Sequence, residues 1–279
     1  MNEGADIDDI RSLYARLMAA EAGRDDPRFE RAFETVPREA FLPPGPWQIV
    51  RGRRHVETPS ANPAHLYQNL LVAIDVPRGI NNGEPFLHAA WLGAANPQPG
   101  EVVCHIGTGT GYYTALLSML TIPGGRVHGF EVEADLAERA RDNLQPFDGV
   151  SVTTGDATRL PLPSSDLIYV NAGVVAPPVA WLEALTGKGR MIFPWRPSAD
   201  AGLAVVLGRT GSKGFRVRPL MRSWFIPCIG ASDTDASLRT PTRQEAGSAR
   251  SAWLTADREP DESAVAIYRD LWFSAMPIP

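Results

Sequence analysis

An α/β fold with a doubly wound, mostly parallel sheet is what this 279-residue sequence predicts, and three observations predict it. Short apolar runs such as Val102-Val103-Cys104-His105-Ile106 and Leu167-Ile168-Tyr169-Val170 lack polar alternation, as strands buried on both faces do. Helical stretches separate those runs, the order that builds a parallel sheet covered on both sides. Gly107, Gly109 and Gly111 follow the first run at once and Ala115-Leu116-Leu117 follows them, which reads as strand, tight loop and helix. Glycines there let the backbone take left-handed angles and approach a ligand closely, while the helix start offers unpaired N–H groups.

The N-terminal part reads differently, as a helical and loop-rich cover over residues 1–80. Ile7, Ile10, Leu13, Leu17 and Met18 recur at spacings of three and four, predicting a helix from Ile7 to about Ala22. Asp25-Asp26-Pro27 breaks it and starts a second helix, which Val36-Pro37-Arg38 ends. Pro43-Pro44-Gly45-Pro46 and Gly52-Arg53-Arg54-His55 predict irregular chain.

The core is expected over 81–230. Pro85 to Ala95 reads as a helix closed by Pro97-Gln98-Pro99-Gly100, ahead of the glycine-flanked strand. A strand follows over Arg126–Val132, a helix over Ala134–Leu144, strands at Val150–Thr154 and Leu167–Val170, a helix at Val179–Leu185 and a strand at Gly189–Pro194. Ala204–Leu207 and Trp224–Pro227 read as two late strands paired antiparallel, since no crossover helix separates them. The remainder, 231–279, forms a C-terminal extension: polar through 262, then a short final helix over Ala264–Phe273.

Composition narrows the function classes. With 44% hydrophobic and 21% charged residues the chain suits one large domain, or a domain with an appendage. A formal net charge of -5 gives no global basic field, so no nucleic-acid partner is expected. Only Cys104 and Cys228 occur, which argues against a disulfide framework and for a reducing cytoplasm. Met1–Asp6 has neither a basic nor an apolar region, so no secretory signal is read. No apolar run nears the roughly 20 residues of a membrane helix, so a membrane association is not expected.

Spacing separates the nucleotide loops. A triphosphate loop needs Gly-Lys-Ser/Thr, but Gly111 is followed by Tyr112-Tyr113. The dinucleotide fingerprint needs its third glycine where Tyr112 stands. A Gly-x-Gly-x-Gly turn with an acidic residue ending the next strand suits S-adenosylmethionine. Glu131, at that strand tip, can accept from both ribose hydroxyls, and Asp156, at the tip of the third, from the adenine amino group. The plainer readings are a solvated strand end for Glu131 and turn capping for Asp156.

From about Val36 to Ile229 the chain resembles the protein-L-isoaspartate O-methyltransferase family, a class I methyltransferase branch with a Rossmann-like core. The resemblance lies in Val36-Pro37-Arg38, Phe41-Leu42-Pro43, His105-Ile106-Gly107-Thr108-Gly109-Thr110-Gly111-Tyr112, Gly155-Asp156 and Asp166-Leu167-Ile168-Tyr169-Val170-Asn171-Ala172. Gly189-Arg190-Met191-Ile192-Phe193-Pro194 and Arg218-Pro219-Leu220-Met221 continue it in order. It implies cofactor contacts from His105, Gly107, Thr108, Gly109, Gly111 and Tyr112. From the later strands it implies contacts from Glu131, Asp156, Ala157 and Asn171. Where the family carries a Thr-Ile-Ser-x-Pro segment, this chain reads Asn81-Asn82-Gly83-Glu84-Pro85, so the serine implied to engage the isoaspartyl substrate falls on Gly83. His105 stands where the family commonly has an acidic residue.

The expected activity is therefore carboxyl O-methylation of an altered peptide, protein or small-molecule acceptor, with no metal. The alternative is a SAM-binding protein that acts through interactions without catalysis. An ionised carboxylate needs no general base, and alignment alone supplies about 7 to 11 kcal/mol in favourable cases. Asn81 or Asn82 is a candidate to hold the acceptor, with turn chemistry as the competing reading. Glu84 is a candidate for the cofactor ammonium, and His88 a base or a structural histidine. Trp91, Trp181 and Trp195 line a pocket or pack the core.

Overall fold

Capping residues set the first helices of the computed structural model, which describes residues 6–210 and 213–278; apart from Asp6, the segment read for a secretory signal lies outside these. Helix α1 (Ile7–Ala22) opens at Asp6, whose carboxylate accepts from the Asp8 N–H, and closes at Gly23 with φ 62°. Helix α2 (Pro27–Thr35) opens at Asp26 with Pro27 at its first position. The inner face of α1 is only partly aliphatic: Met18 is buried, and Ile7 and Ile10 pack against the core partly buried. Leu13 and Leu17 are exposed, while Tyr14, Ala15, Met18 and Ala22 are buried. Aromatic packing decides it: the Tyr14 ring meets Phe33 and Tyr67 edge-on at 6.1 and 5.4 Å.

The cover holds two small hairpins within its loops, β1 (Gln48–Arg51) with β2 (Arg54–Glu57) and β3 (Ala73–Asp75) with β4 (Ile80–Asn81). Arg38 ties it together. Its fully buried guanidinium donates to the carbonyls of Leu66 at 2.9 Å and Leu70 at 2.7 Å, and to Asn82 Oδ1 at 3.1 Å. Helix α3 (Pro85–Ala95) follows, ending at Asn96 in the left-handed region.

Strand β5 (Val102–Ile106) then leads into α4 (Tyr112–Thr121), β6 (Arg126–Glu131), α5 (Ala134–Leu144), β7 (Val150–Thr154), β8 (Ser165–Val170), α6 (Val179–Ala184) and β9 (Leu185–Trp195). These strands run parallel in the order β7-β6-β5-β8-β9, with α/β architecture and helices on both faces. Side-chain alternation explains the two layers. Val103, Leu167, Tyr169 and Ile192 point into a core with α1 to α4, whereas Cys104, Ile168, Val170 and Met191 point into a second core with α6. Chain order reverses beside β5, so the crevice at the strand ends lies at a topological switch point.

The sheet continues antiparallel through β10 (Leu203–Arg209) and β11 (Phe215–Arg222), corrects two expectations and runs on into the C-terminal part. The partner of β10 is Phe215–Arg222, where buried Phe215 and Val217 alternate with exposed Arg216 and Arg218. Trp224–Pro227 is no strand; Gly173 instead donates its N–H to the Ile226 carbonyl at 2.7 Å, and the segment runs along the cleft. Beyond it lie β12 (Ser237–Arg239), α7 (Arg243–Ser248), β13 (Ser251–Leu254), β14 (Ala264–Tyr268) and β15 (Leu271–Ser274). Ala264–Phe273 is thus a hairpin rather than a helix. Arg269-Asp270 makes its turn, and Val265, Ile267, Tyr268, Trp272 and Phe273 supply the β-branched and aromatic content that outweighs two alanines.

The extension packs on the core itself. Phe273 stacks on Trp195 at 4.3 Å, and Trp195 Nε1 donates to the Tyr268 hydroxyl at 3.1 Å. At the opposite end of the sheet, Arg141 donates to the Val152 carbonyl of β7 at 3.1 Å. No helix among the described residues is long and apolar enough to cross a membrane.

Candidate active site

A cleft of about 1030 Å3 opens where β5, β6, β7 and β8 end. Its floor is the glycine turn. Gly107, Gly109 and Gly111 take φ of 79°, 57° and 103°, angles that side chains other than glycine's resist. The turn is anchored by the Gly107 and Thr108 N–H groups, which donate to the Phe130 carbonyl at 2.9 and 3.2 Å. From above, Thr110 Oγ1 donates to the Phe41 carbonyl at 2.5 Å, so cover and turn are pinned together.

Glu131 stands at the tip of β6 with its carboxylate turned to this loop. Oε2 accepts from the Gly109 N–H at 2.6 Å and Oε1 from the Glu133 N–H at 3.0 Å. Burial pushes the carboxyl up from its ordinary value, against the pull of those N–H bonds. Each oxygen keeps further lone-pair capacity for a hydroxyl donor. Asp156 serves a turn: Oδ1 accepts from the Thr158 N–H at 2.9 Å and hydroxyl at 2.7 Å. Its Oδ2 sits 3.4 Å from Arg159 Nε at the cleft wall. Ala157 lines the same wall, its carbonyl taken by Trp181 Nε1 at 3.0 Å.

His105 lies beneath the cleft rather than in it. Its ring is fully buried, with Nδ1 2.7 Å from Thr114 Oγ1 and Nε2 2.9 Å from Asn171 Nδ2. Burial drives its pKa down to about 3, so it is neutral and accepts from the Asn171 amide. Asn171 Oδ1 is thereby left without a partner, on a residue that lines the cleft. Tyr112 opens α4 against the cover, its ring 5.7 Å from Phe41 and its hydroxyl 3.5 Å from that of Tyr14.

At the far side the substrate-loop candidates divide. Asn81 Oδ1 accepts from the Gly83 N–H at 3.0 Å, as a turn residue does, leaving its amide free to donate. Asn82 is buried and commits its oxygen to Arg38. Glu84 lines the cleft and is steadied by Asn69 Nδ2 at 3.1 Å. His88 is buried, with Nδ1 2.9 Å from Tyr169 Oη. Trp91, Trp181 and Trp195 are fully buried and pack the core.

Three groups at this site have no signal in the sequence pattern. Tyr113 Oη, Ser223 Oγ and Arg196 Nε line the cleft buried and without a partner. With Asn171 Oδ1, they are four of the six such side-chain atoms among the described residues. Concentration of unmet hydrogen bonding in one cavity marks it as a ligand site. Trp224 and Ile226 add exposed apolar surface to its rim. No cluster among the described residues would hold a metal ion.

Residues 16–233 match the family model described as protein-L-isoaspartate(D-aspartate) O-methyltransferase. The protein-L-isoaspartate O-methyltransferase of Aeropyrum pernix is 34% identical over 65% of this chain and 75% of its own. That of Koribacter versatilis is 31% identical over 81% of this chain and 93% of its own. Among solved structures, a protein-L-isoaspartate O-methyltransferase superposes with TM-score 0.68 at 19% identity, over 94% of this chain and 86% of that one. A Plasmodium falciparum protein described as such an enzyme, in complex with S-adenosyl-L-homocysteine, gives 0.61 at 17%, over 78% and 97%. These two likenesses establish the fold.

Proposed function

Because the chain belongs to the protein-L-isoaspartate(D-aspartate) O-methyltransferase family and is an S-adenosylmethionine-dependent methyltransferase, we propose that it esterifies a carboxylate of a peptide acceptor. The observation that carries this reading is the polarity of the unfilled groups. On the acceptor side each can donate: Tyr113 Oη and Ser223 Oγ through their hydroxyl hydrogens, and Arg196 Nε, which has no acceptor capacity at all. Buried donors without partners call for an anionic or carbonyl-rich ligand.

The residues present fit the cofactor. The Gly109 N–H and the Glu131 carboxylate form one end of the cleft, and Glu131 has lone pairs for two ribose hydroxyls. Asp156 and Ala157 would hold the base, and Asn171 Oδ1 and Glu84 would hold the cationic ammonium. Bound S-adenosylmethionine supplies a methyl group on a sulfonium. The chain's own part is to align the acceptor oxygen in line with that methyl and to exclude water. No proton need move, since an ionised carboxylate already offers a lone pair. The buried imidazoles agree, because neither His88 nor His105 charges near neutral pH.

The test is methyl transfer from labelled S-adenosylmethionine to a synthetic isoaspartyl hexapeptide and its normal aspartyl counterpart. Label that mild base releases as methanol supports a methyl ester. Base-stable label, or none on either peptide, refutes the reading.

A further inference from the structure

We propose that His88 Nε2–H and Tyr113 Oη–H are the paired donors that hold the acceptor carboxylate, and that residue 83 is glycine because any side chain there would fill their place. The inference rests on the carboxyl-methylation reading.

Geometry carries the first part. The His88 ring lies in the first turn of α3, stacked on Tyr113 with centroids 3.6 Å apart and planes 21° apart. Both rings line the cleft beside Gly83. Gly83 has φ 73°, and a Cβ built on it would lie 2.5 Å from His88 Nε2 and 3.1 Å from Tyr113 Cε2. Imidazole edge and side chain cannot share that volume. An ordinary contact there needs at least 3.4 Å. The donor corner and the glycine are therefore one feature.

The proton on Nε2 follows from what lies behind. Tyr169 Oη is buried and bonds only His88 Nδ1 among the described residues. If Nδ1 carried the proton, the phenolic O–H would be left with no acceptor in the interior, an uncompensated desolvation penalty. With Tyr169 donating, Nδ1 accepts and Nε2 bears the hydrogen that faces the cleft. Tyr113 Oη is buried with no partner, so its hydrogen is equally available. Both donors are neutral, because burial holds the imidazole uncharged and the phenol protonated. Neutral donors orient a carboxylate and leave its charge in place, so the oxygen stays nucleophilic. Behind the loop Arg38 adds positive charge: bonded to carbonyls and an amide oxygen, it reaches the Gly83 carbonyl at 3.3 Å.

Four variants test this: His88→Phe, His88→Gln, Tyr113→Phe and Gly83→Ser, each with its melting temperature and S-adenosylhomocysteine affinity recorded. On the isoaspartyl hexapeptide, His88→Phe and Tyr113→Phe lower kcat/KM by about 100-fold with cofactor affinity unchanged. His88→Gln, which keeps an N–H near the same place, recovers at least tenfold over His88→Phe. Gly83→Ser loses activity, although the family resemblance places a serine there. His88→Phe within threefold of the parent, or Gly83→Ser raising activity, overturns the inference. Should the parent protein pass no label to the peptide, the acceptor reading fails, and histidine 15N spectra of the S-adenosylhomocysteine-saturated protein decide this one. An Nε2-protonated His88 supports it and an Nδ1-protonated one overturns it.

Discussion

Replacing Glu131 separates cofactor binding from fold stability, and the structure sets the scale of each. The carboxylate already accepts two backbone N–H groups, at 2.6 and 3.0 Å, and is 6% exposed. Charge-assisted bonds to ribose hydroxyls are worth about 1.5 to 3 kcal/mol, so Glu131→Ala should weaken S-adenosylhomocysteine roughly 10- to 150-fold. The cofactor-free fold should suffer less. Burial penalises the charge at this site, as its raised pKa records, and removing the charge offsets part of the lost N–H bonding. Glu131→Gln is the sharper variant, because its amide can satisfy one of the two N–H groups but must present N–H to the other. Calorimetric titration gives the affinities and parallel thermal unfolding the stabilities. An affinity within twofold of the parent for both variants would remove Glu131 from the site.

Two further outcomes follow from buried contacts. His105 titrates near 3 when folded and near 6.5 when unfolded, so the unfolded chain binds the extra proton between those values. Stability is whole above pH 6.5 and falls as pH drops toward 3, by at most about 5 kcal/mol for 3.5 units at 1.36 kcal/mol each. Urea unfolding from pH 7 to 4 should show a shallower loss for His105→Gln, and equal slopes would refute the assignment. Truncation after Asp233, where the family match ends, strips Phe273 and Tyr268 from Trp195; the product should aggregate or unfold without cooperativity. A monodisperse truncated protein with unchanged cofactor affinity would refute that.

Legibility in the sequence tracks how local each signal is. Pro85 and the Asn96 region bound α3, and Ala134 to Leu144 forms α5, because capping and 3.6-residue periodicity are short-range properties. The glycine turn and Glu131 were readable for the same reason: a bend and a strand tip are fixed by neighbours. Ala264–Phe273 misled because alanines mask a hairpin whose strands are stabilised by Trp195, far away in the chain. Trp224–Pro227 has the composition of a strand, yet it finds Gly173 rather than a ladder. The depth of His105, and the lone hydroxyl of Tyr113, depend on which layer covers them. No spacing encodes that.

The two ends of the long sheet have a consequence for how the molecule coexists with its own copies. At one end the Arg141 guanidinium occupies the Val152 carbonyl of β7, and at the other the edge strand, β12, runs only from Ser237 to Arg239. A bare margin of unpaired amides is a template on which a neighbour's chain zips, and seeds fibrous growth from it. Here a guanidinium interrupts one margin at Val152 and the other margin is a strand of three residues, so each gives a neighbouring copy little continuous length on which to pair.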